Sequence, residues 1–300
     1  MEKITLVIAT KNRIDELKIT LSKISDIIER DDVELIVADD GSLDKTSSFI
    51  NKNYPKIKLL TIPKSKGIHY VRNLMFQHAT GDFVISLDDD IHFLTNNVVE
   101  KVLEHFKANK ECAIVAFRIF WSINTPSTVA CTDKVVRVKS FGAGAHAFRM
   151  SAWREIPNYP EWFVFYGEED FASYQLFKKK WEIHYLPEVL VHHRVDLKSR
   201  KKDTDYTIRL RRSLRSGWYL FFLFYPVNII PKKMAYSIWI QLKVKVFKGD
   251  FNALRALLLA LLDLVWSIPR IIKNSNRLSH KEYNIYQKLE NTKLYWRPEE

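Results

Sequence analysis

Three stretches of this chain are apolar almost throughout, and each ends abruptly in a polar cluster. Ile4-Thr5-Leu6-Val7-Ile8-Ala9 runs into Thr10-Lys11-Asn12-Arg13, Val33-Glu34-Leu35-Ile36-Val37-Ala38 into Asp39-Asp40-Gly41-Ser42, and Phe83-Val84-Ile85-Ser86-Leu87 into Asp88-Asp89-Asp90. Short apolar runs rich in β-branched residues predict fully buried strands. Between them, residues 13–28 carry Ile14, Leu17, Leu21, Ile24, Ile27 and Ile28 at helical spacing. Residues 43–51 predict a short helix, 57–61 a further strand and 66–78 another helix. Strands that are apolar on both faces, alternating with helices, predict an α/β fold: a mostly parallel central sheet flanked by helices. Ligands of such sheets bind beyond the carboxyl ends of the strands. The three polar clusters, in phase with three strands, are expected to meet on that one edge.

The acidic cluster is the most demanding of the three. Like charges packed beside a core strand repel one another, and a hard divalent cation among them removes the penalty. Oxygen ligands favour Mg²⁺ or Mn²⁺, and Mg²⁺ is typically held by one or two carboxylates together with substrate phosphates. A solvated acidic loop is the plainer alternative. The neighbouring clusters favour the cation. Acidic groups accept from base N–H groups or ribose hydroxyls, a cation neutralises a diphosphate, and Arg13 or Arg72 can pair with phosphate. That combination describes a nucleotide-diphosphate compound held with a metal. The chain lacks the Gly-rich fingerprint of a P-loop or a dinucleotide fold, which argues against a kinase or a dehydrogenase.

Further ordered pieces extend the pattern: Lys66-Gly67-Ile68-His69-Tyr70-Val71-Arg72-Asn73, Gly142-Ala143-Gly144-Ala145, Gly167-Glu168-Glu169-Asp170, and Pro187-Glu188-Val189-Leu190-Val191-His192-His193. Together with the strand-end clusters they resemble an inverting family 2 glycosyltransferase of GT-A fold, over residues 3–194. The resemblance implies that Asp39 and Asp40 contact the nucleotide base and ribose, with Thr10, Asn12 and Arg13 lining the same pocket. Gly67, Arg72, Asp88 and Asp89 would lie on the donor side. Asp88 and Asp90 are the outer positions of the family's Asp-X-Asp motif, ligands of Mn²⁺ or Mg²⁺, and His193 would complete the metal's shell. The Gly142-to-Ala145 turn would let backbone approach the donor sugar.

Such a reaction needs a carboxylate base to deprotonate the acceptor hydroxyl. An ungapped match from Gly167 to Pro187 makes Glu169 the base, while a literal reading of the family's Glu-Asp pair makes it Asp170, which we prefer at this stage. Acidic residues that merely cap the helix predicted over 171–180 are the alternative. The chain departs from the family at Ser65, where Asn is common. It also lacks the acid beyond the base pair and the helix arginine that follows, with Phe171, Ala172 and Gln175 there instead.

Three hundred residues at 47% hydrophobic content can bury a sizeable core. We expect a catalytic domain over 1–195, with a nucleotide-sugar half (1–110) and an acceptor half (111–195), followed by a basic, amphipathic helical region over 196–300. Cys112 and Cys131 show no metal spacing and no disulfide framework, which suits a reducing compartment. The start of the chain reads as strand rather than secretory leader. Fifteen Lys and Arg against four Asp lie between Arg194 and Arg255, so nearly all of the net +12 is there. Lys198-Ser199-Arg200-Lys201-Lys202 is followed by the aromatic run Trp218-Tyr219-Leu220-Phe221-Phe222-Leu223-Phe224-Tyr225, and residues 252–273 form an amphipathic helix with a broad apolar face. The apolar run ends at Pro226, too short to span a bilayer. Nucleic acid suits the charge but not the Leu, Phe and Trp beside it. We therefore expect an anionic membrane surface as partner, peripheral binding at the cytoplasmic face, and a glycan or lipid-linked acceptor. The rival readings are a nucleotidyltransferase and a non-catalytic nucleotide-sugar-binding protein. Acceptor specificity is expected in the loops over 121–140 and 153–166.

Overall fold

The structure, a computed structural model, describes residues 2–195, 205–293 and 295–298. The basic run Lys198-Ser199-Arg200-Lys201-Lys202 and the expected boundary at 196 lie outside the described residues. In chain order the elements are β1 (Ile4–Thr10), α1 (Ile14–Lys23), α2 (Ser25–Ile28), β2 (Val33–Asp39), α3 (Thr46–Asn53), β3 (Lys58–Thr61), α4 (Ile68–His78), β4 (Phe83–Asp88) and β5 (Ile91–Phe93). Then follow α5 (Val98–Ala108), β6 (Cys112–Trp121), β7 (Val136–Arg137), β8 (Ala145–Arg149), α6 (Met150–Trp153), α7 (Glu168–Lys178) and β9 (Glu182–His193). The C-terminal region is helical: α8 (Tyr206–Phe224), α9 (Ile230–Val244), α10 (Phe251–Asn274) and α11 (His280–Lys288).

The strands form one sheet in the order β3-β2-β1-β4-β8-β6-β9-β5, with β7 on β9. Its first half, β3-β2-β1-β4, is parallel, as the alternation of strands and helices predicts. From β8 onward the sheet is mixed: β8 is antiparallel to β4 and β6, β9 is parallel to β6, and β5 and β7 are antiparallel to β9. Strand alternation explains the apolar runs. Ile4, Leu6 and Ile8 of β1 face a core with Leu17 and Leu21 of α1 and Val102 and Phe106 of α5. Val7 faces the opposite core, with Ile36 of β2 and Val71 and Met75 of α4. Both faces are covered, so the strands are apolar at most positions, and the buried Thr5 hydroxyl is satisfied by Glu34.

Two helices differ from their expected extents. The helix over 13–28 breaks at Ile24 into α1 and α2. The helix expected from 171 starts at Glu168 instead, so Glu168, Glu169 and Asp170 form its first turn, where carboxylates oppose the positive end of the helix dipole.

A third core joins the C-terminal helices to the sheet domain. Phe171 and Tyr174 of α7 pack with Trp218, Tyr219, Leu223 and Phe224 of α8, Leu257, Ala260 and Leu264 of α10, and Tyr283 and Tyr286 of α11. The buried face of α10 mixes small residues, Ala253, Ala256, Ala260 and Ser267, with Leu257, Leu264 and Ile271. Its opposite face leaves Leu258, Leu262, Val265, Trp266 and Ile272 exposed. Asp263, on the polar stripe between them, accepts from Arg211 and Arg215 of α8.

Candidate active site

Strand register brings the polar clusters together. Thr10 pairs with Asp39 across β1 and β2, and Ala9 with Asp88 across β1 and β4. Asp39 accepts from the Ser42 N–H at 2.8 Å. Asp40 accepts from the Ser65 hydroxyl at 2.6 Å and from the N–H groups of Lys66 and Gly67 at 2.7 and 3.1 Å. Ser65, the departure from the family's asparagine, thus supplies a donor to Asp40. Gly41 has φ 74°, and a Cβ there would stand 2.9 Å from the Ser65 nitrogen, so the turn carrying Asp39 and Asp40 requires glycine. Asn12 accepts from the Leu43 N–H and its own N–H donates to Ser42, tying the loop after β1 to the loop after β2.

The acidic cluster divides into three environments. Asp88 is partly exposed, while Asp89 and Asp90 are buried. Asp89 accepts from the Thr10 hydroxyl at 2.8 Å and pairs with the Arg13 Nε at 3.2 Å. Asp90 takes the Arg13 Nη2 at 2.6 Å on one oxygen and the His193 Nε2 at 3.1 Å on the other. Desolvation raises Asp89 to about 7, against the pull of Arg13. Burial also opposes the ionised form of Asp90, but His193 and Arg13 outweigh it and hold this carboxyl at about 2. Asp88, Asp90 and His193 offer ligand atoms within 4.8 Å of one another. Two carboxylate oxygens and an imidazole nitrogen are a donor set that suits Mn²⁺ or Mg²⁺.

Arg72 is buried and ion-paired on two sides. It donates to Asp88 at 2.9 Å, to Glu168 at 2.7 Å and to the Ala143 carbonyl at 3.1 Å. Glu168 also meets the His69 Nε2 at 3.0 Å. Burial works against its charge, yet His69 and Arg72 together hold it at about 2. The triangle ties the acidic motif after β4 to the first turn of α7. Gly144 makes room for it: a Cβ there would come within 3.1 Å of the Asp88 Oδ2.

The two remaining acids of α7 face different ways. The Glu169 carboxylate has only its own backbone N–H as a hydrogen-bond partner among the described residues. Desolvation, then the charge of Glu168, raises it well above the usual carboxylate range, and Arg72 and Tyr159 feel its charge. Asp170 is exposed as a residue, and its carboxyl is also raised, by desolvation against a hydrogen bond from Ser140. Its charge is felt by Tyr174, Tyr225 and Tyr286, on the side of the third core.

Residues 5–153 match the model of glycosyl transferase family 2. The chain belongs to this family. Over 80 residues, 26% of this chain and 32% of the relative, it is 38% identical to an uncharacterized glycosyltransferase of Haemophilus influenzae. Over 115 residues, 37% of this chain and 32% of the relative, it is 28% identical to the dolichol-phosphate mannosyltransferase of Pyrococcus furiosus. The matching segments thus span about a third of the length of these curated relatives. The solved mannosyltransferase PcManGT of Pyrobaculum calidifontis, in complex with GDP-Man and Mn²⁺, superposes with a TM-score of 0.56 at 15% identity, covering 95% of this chain and 79% of that one. The shared feature is the GT-A-like fold.

In this family 2 glycosyltransferase the end of the chain returns to the site. The Trp296 N–H donates to the Ile119 carbonyl at 2.9 Å, and the Arg118 guanidinium lies 4.3 Å over the Trp296 ring. Tyr295 stands edge-on to Trp121 at 4.6 Å, and Trp121 lies 4.5 Å from the His193 ring. The strap thereby backs a candidate metal ligand with aromatic rings. Reading by motif passed over it, although Tyr295-Trp296 is an aromatic pair in an otherwise polar tail. It also passed over His69 and Glu168 as partners of Arg72, because the ion pair joins residues far apart in sequence.

Proposed function

We propose that the protein transfers a sugar from a nucleotide-diphosphate sugar to an acceptor hydroxyl with inversion, using Mn²⁺ or Mg²⁺ held by Asp88, Asp90 and His193. One observation carries this reading: the cation ligands cluster at the strand ends, and Arg72 ties that cluster to a helix turn bearing a carboxylate with no ion-pair partner. When bound, the cation would neutralise the diphosphate and stabilise the charge that develops on the leaving group. Asp39, Asp40, Asn12 and Thr10 shape the nucleotide pocket, with Asp40 fixing the turn through Gly67. Arg13, partly exposed, holds Asp89 and Asp90 in place for the cation. Arg72 serves by positioning, because it is buried and its charge is paired with Asp88 and Glu168.

The base is Glu169. Its carboxylate is on the Arg72 side of α7, and burial beside Glu168 raises its affinity for a proton, as a base requires. Asp170 borders Ser140 and the tyrosines of the third core and would support the helix turn. The acceptor is a glycan or lipid-linked precursor presented at a membrane. This is supported by the exposed apolar face of α10 and by the lipid-phosphate acceptor in the name of the Pyrococcus relative. By length and composition α10 is long and apolar enough to cross a bilayer, with 33% of its apolar window buried. Its packing on α8 favours a helix lying in the interface, with the basic block facing the anionic, cytoplasmic leaflet.

The test is release of nucleoside diphosphate from a panel of sugar donors with Mn²⁺ or Mg²⁺, offered with membrane lipid extract. Metal-dependent turnover of one donor, lost in Asp90→Ala and Glu169→Gln but reduced less than tenfold in Asp170→Asn, is expected. Loss in Asp170→Asn with retention in Glu169→Gln would reverse the base assignment. Absence of binding to every donor would overturn the whole reading.

A further inference from the structure

At the far end of β6 from the strap lies a second cluster of ligand-type side chains. Trp121, the last residue of β6, pairs with His193 at the catalytic edge, whereas Cys112, its first, pairs with Glu182. Ten residues of strand separate the two ends, roughly 30 Å at the usual rise per residue. Around Cys112, the last turn of α5 contributes His105 and β9 contributes His184, and the three ligand atoms lie within 4.8 Å of one another. The His105 Nε2 and the His184 Nδ1 are 3.0 Å apart. The other nitrogen of His184 meets the Glu182 Oε2 at 3.0 Å, and Glu182 is in turn fixed by Arg137 at 2.5 Å.

Hydrogen-bond accounting shows what this arrangement offers. The carboxylate of Glu182 takes the proton on the His184 Nε2, which leaves the Nδ1 lone pair facing His105 and Cys112. A carboxylate behind an imidazole, orienting its other nitrogen, is the arrangement that metal-binding histidines share. Cys112 is wholly buried; its thiol donates to the Ile114 carbonyl at 3.3 Å and its sulfur accepts from the His184 backbone N–H. Glu111, exposed next to Cys112, groups with Glu182 and His184 within the same distance. His105 is only half-buried, so an ion has a way in.

We propose that His105, Cys112 and His184 form a second metal site, of the soft to borderline class that Zn²⁺ represents, with Glu111 or water as fourth ligand. Nitrogen and thiolate donors select Zn²⁺ over the Mg²⁺ or Mn²⁺ preferred by the oxygen-rich cluster at the other end of the sheet. Binding releases the Cys112 thiol proton to solvent, because the ligand is the thiolate. At Zn–N bonds of ~2.0 Å a tetrahedral site holds two nitrogens roughly 3.3 Å apart, so the histidine pair need open by only a few tenths of an ångström. The ion would clasp the end of α5 to β6 and β9, far from the reacting groups. The site is therefore structural and independent of the proposed transfer reaction.

The test is zinc retention by the full-length protein after gel filtration, measured by elemental analysis, and the absorption spectrum of its Co²⁺ form. One zinc per chain is expected, unchanged in Asp90→Asn and lost in Cys112→Ser and His184→Gln. Glu182→Gln should weaken binding by ~10- to 100-fold. The Co²⁺ form should show a thiolate-to-metal charge-transfer band. That band can be read in the wild type and in His105→Gln, so the proposal remains testable should Cys112→Ser fail to fold. A wild type that retains no zinc, a Co²⁺ spectrum without the thiolate band, or retention lost in Asp90→Asn but kept in Cys112→Ser would each overturn it. The histidines would then be a hydrogen-bonded pair only.

Discussion

Arg72 illustrates how much of the site depends on one buried cation. Removing it leaves Glu168 in the interior with only His69 to compensate its charge. Arg72→Met should therefore cost about 3–5 kcal/mol in chemical denaturation. Arg72→Lys keeps the charge but cannot span Asp88, Glu168 and the Ala143 carbonyl at once, so it should restore little. Glu169 gives a prediction with two signs. Its folded pKa is raised, so its stabilising contribution is complete below the ordinary glutamate value of 4.5 and is lost as pH rises toward the folded value. Glu169→Gln should accordingly be more stable than the wild type at neutral pH while turnover falls at least a hundredfold. In the wild type, the acidic limb of the kcat/KM profile should lie well above pH 4.5. A limb at 4.5 would remove Glu169 as the base. Glu168, held low, has the opposite dependence: its contribution is present above 4.5 and is lost as pH falls toward about 2. At this scale Asp39, Asp88 and Asp90 were legible because each ends an apolar run. The different surroundings of Glu169 and Asp170 were not, since they depend on which core each side of α7 faces.

Among the elements, the strap and α10 make the clearest demands. Trp296→Ala removes the ring under Arg118 and should cost ~1–2 kcal/mol. It should also release the segment after α11 to limited proteolysis. Unchanged protection would mean that the main-chain bond to Ile119 suffices. The parallel half of the sheet could be read from the apolar runs, because helices on both faces leave few polar positions along a strand. The mixed half could not, although Cys112-Ala113-Ile114-Val115-Ala116-Phe117 is as apolar as β1. Between the antiparallel neighbours β4 and β8 the chain passes through β5, α5, β6 and β7, so no simple strand–helix–strand alternation announces their pairing. For α10 the pattern announced a broad apolar face, and the structure divides it between α8 and solvent. Composition alone could not make that division, since Ala and Leu are both apolar and differ mainly in how closely they let a second helix approach.

For the whole molecule, charge and exposed apolar surface predict binding to vesicles. Lys232 and Lys233 flank the exposed rings of Tyr236 and Trp239 on α9, and α10 presents Leu262 and Trp266. Replacing both lysines with Gln should weaken binding to anionic vesicles by about 2 kcal/mol, roughly thirtyfold, and added salt should have the same direction of effect. Leu262→Ser with Trp266→Ser should reduce binding to neutral vesicles as well. Indifference of all four positions would leave this surface to another partner.

The core that joins α7 to α8, α10 and α11 limits how the chain can be taken apart. One side of α7 carries Glu169, and the other is buried beneath Phe224, Tyr225 and Tyr286. A graft that exchanges everything after Val195 for the corresponding region of a relative would have to bring a surface matched to Phe171 and Tyr174, or lose the packing that holds α7. Heredity at this boundary is shared: substitutions on the inner faces of α8 and α11 and on the outer face of α7 should be inherited as sets, and the C-terminal helices are no interchangeable anchor.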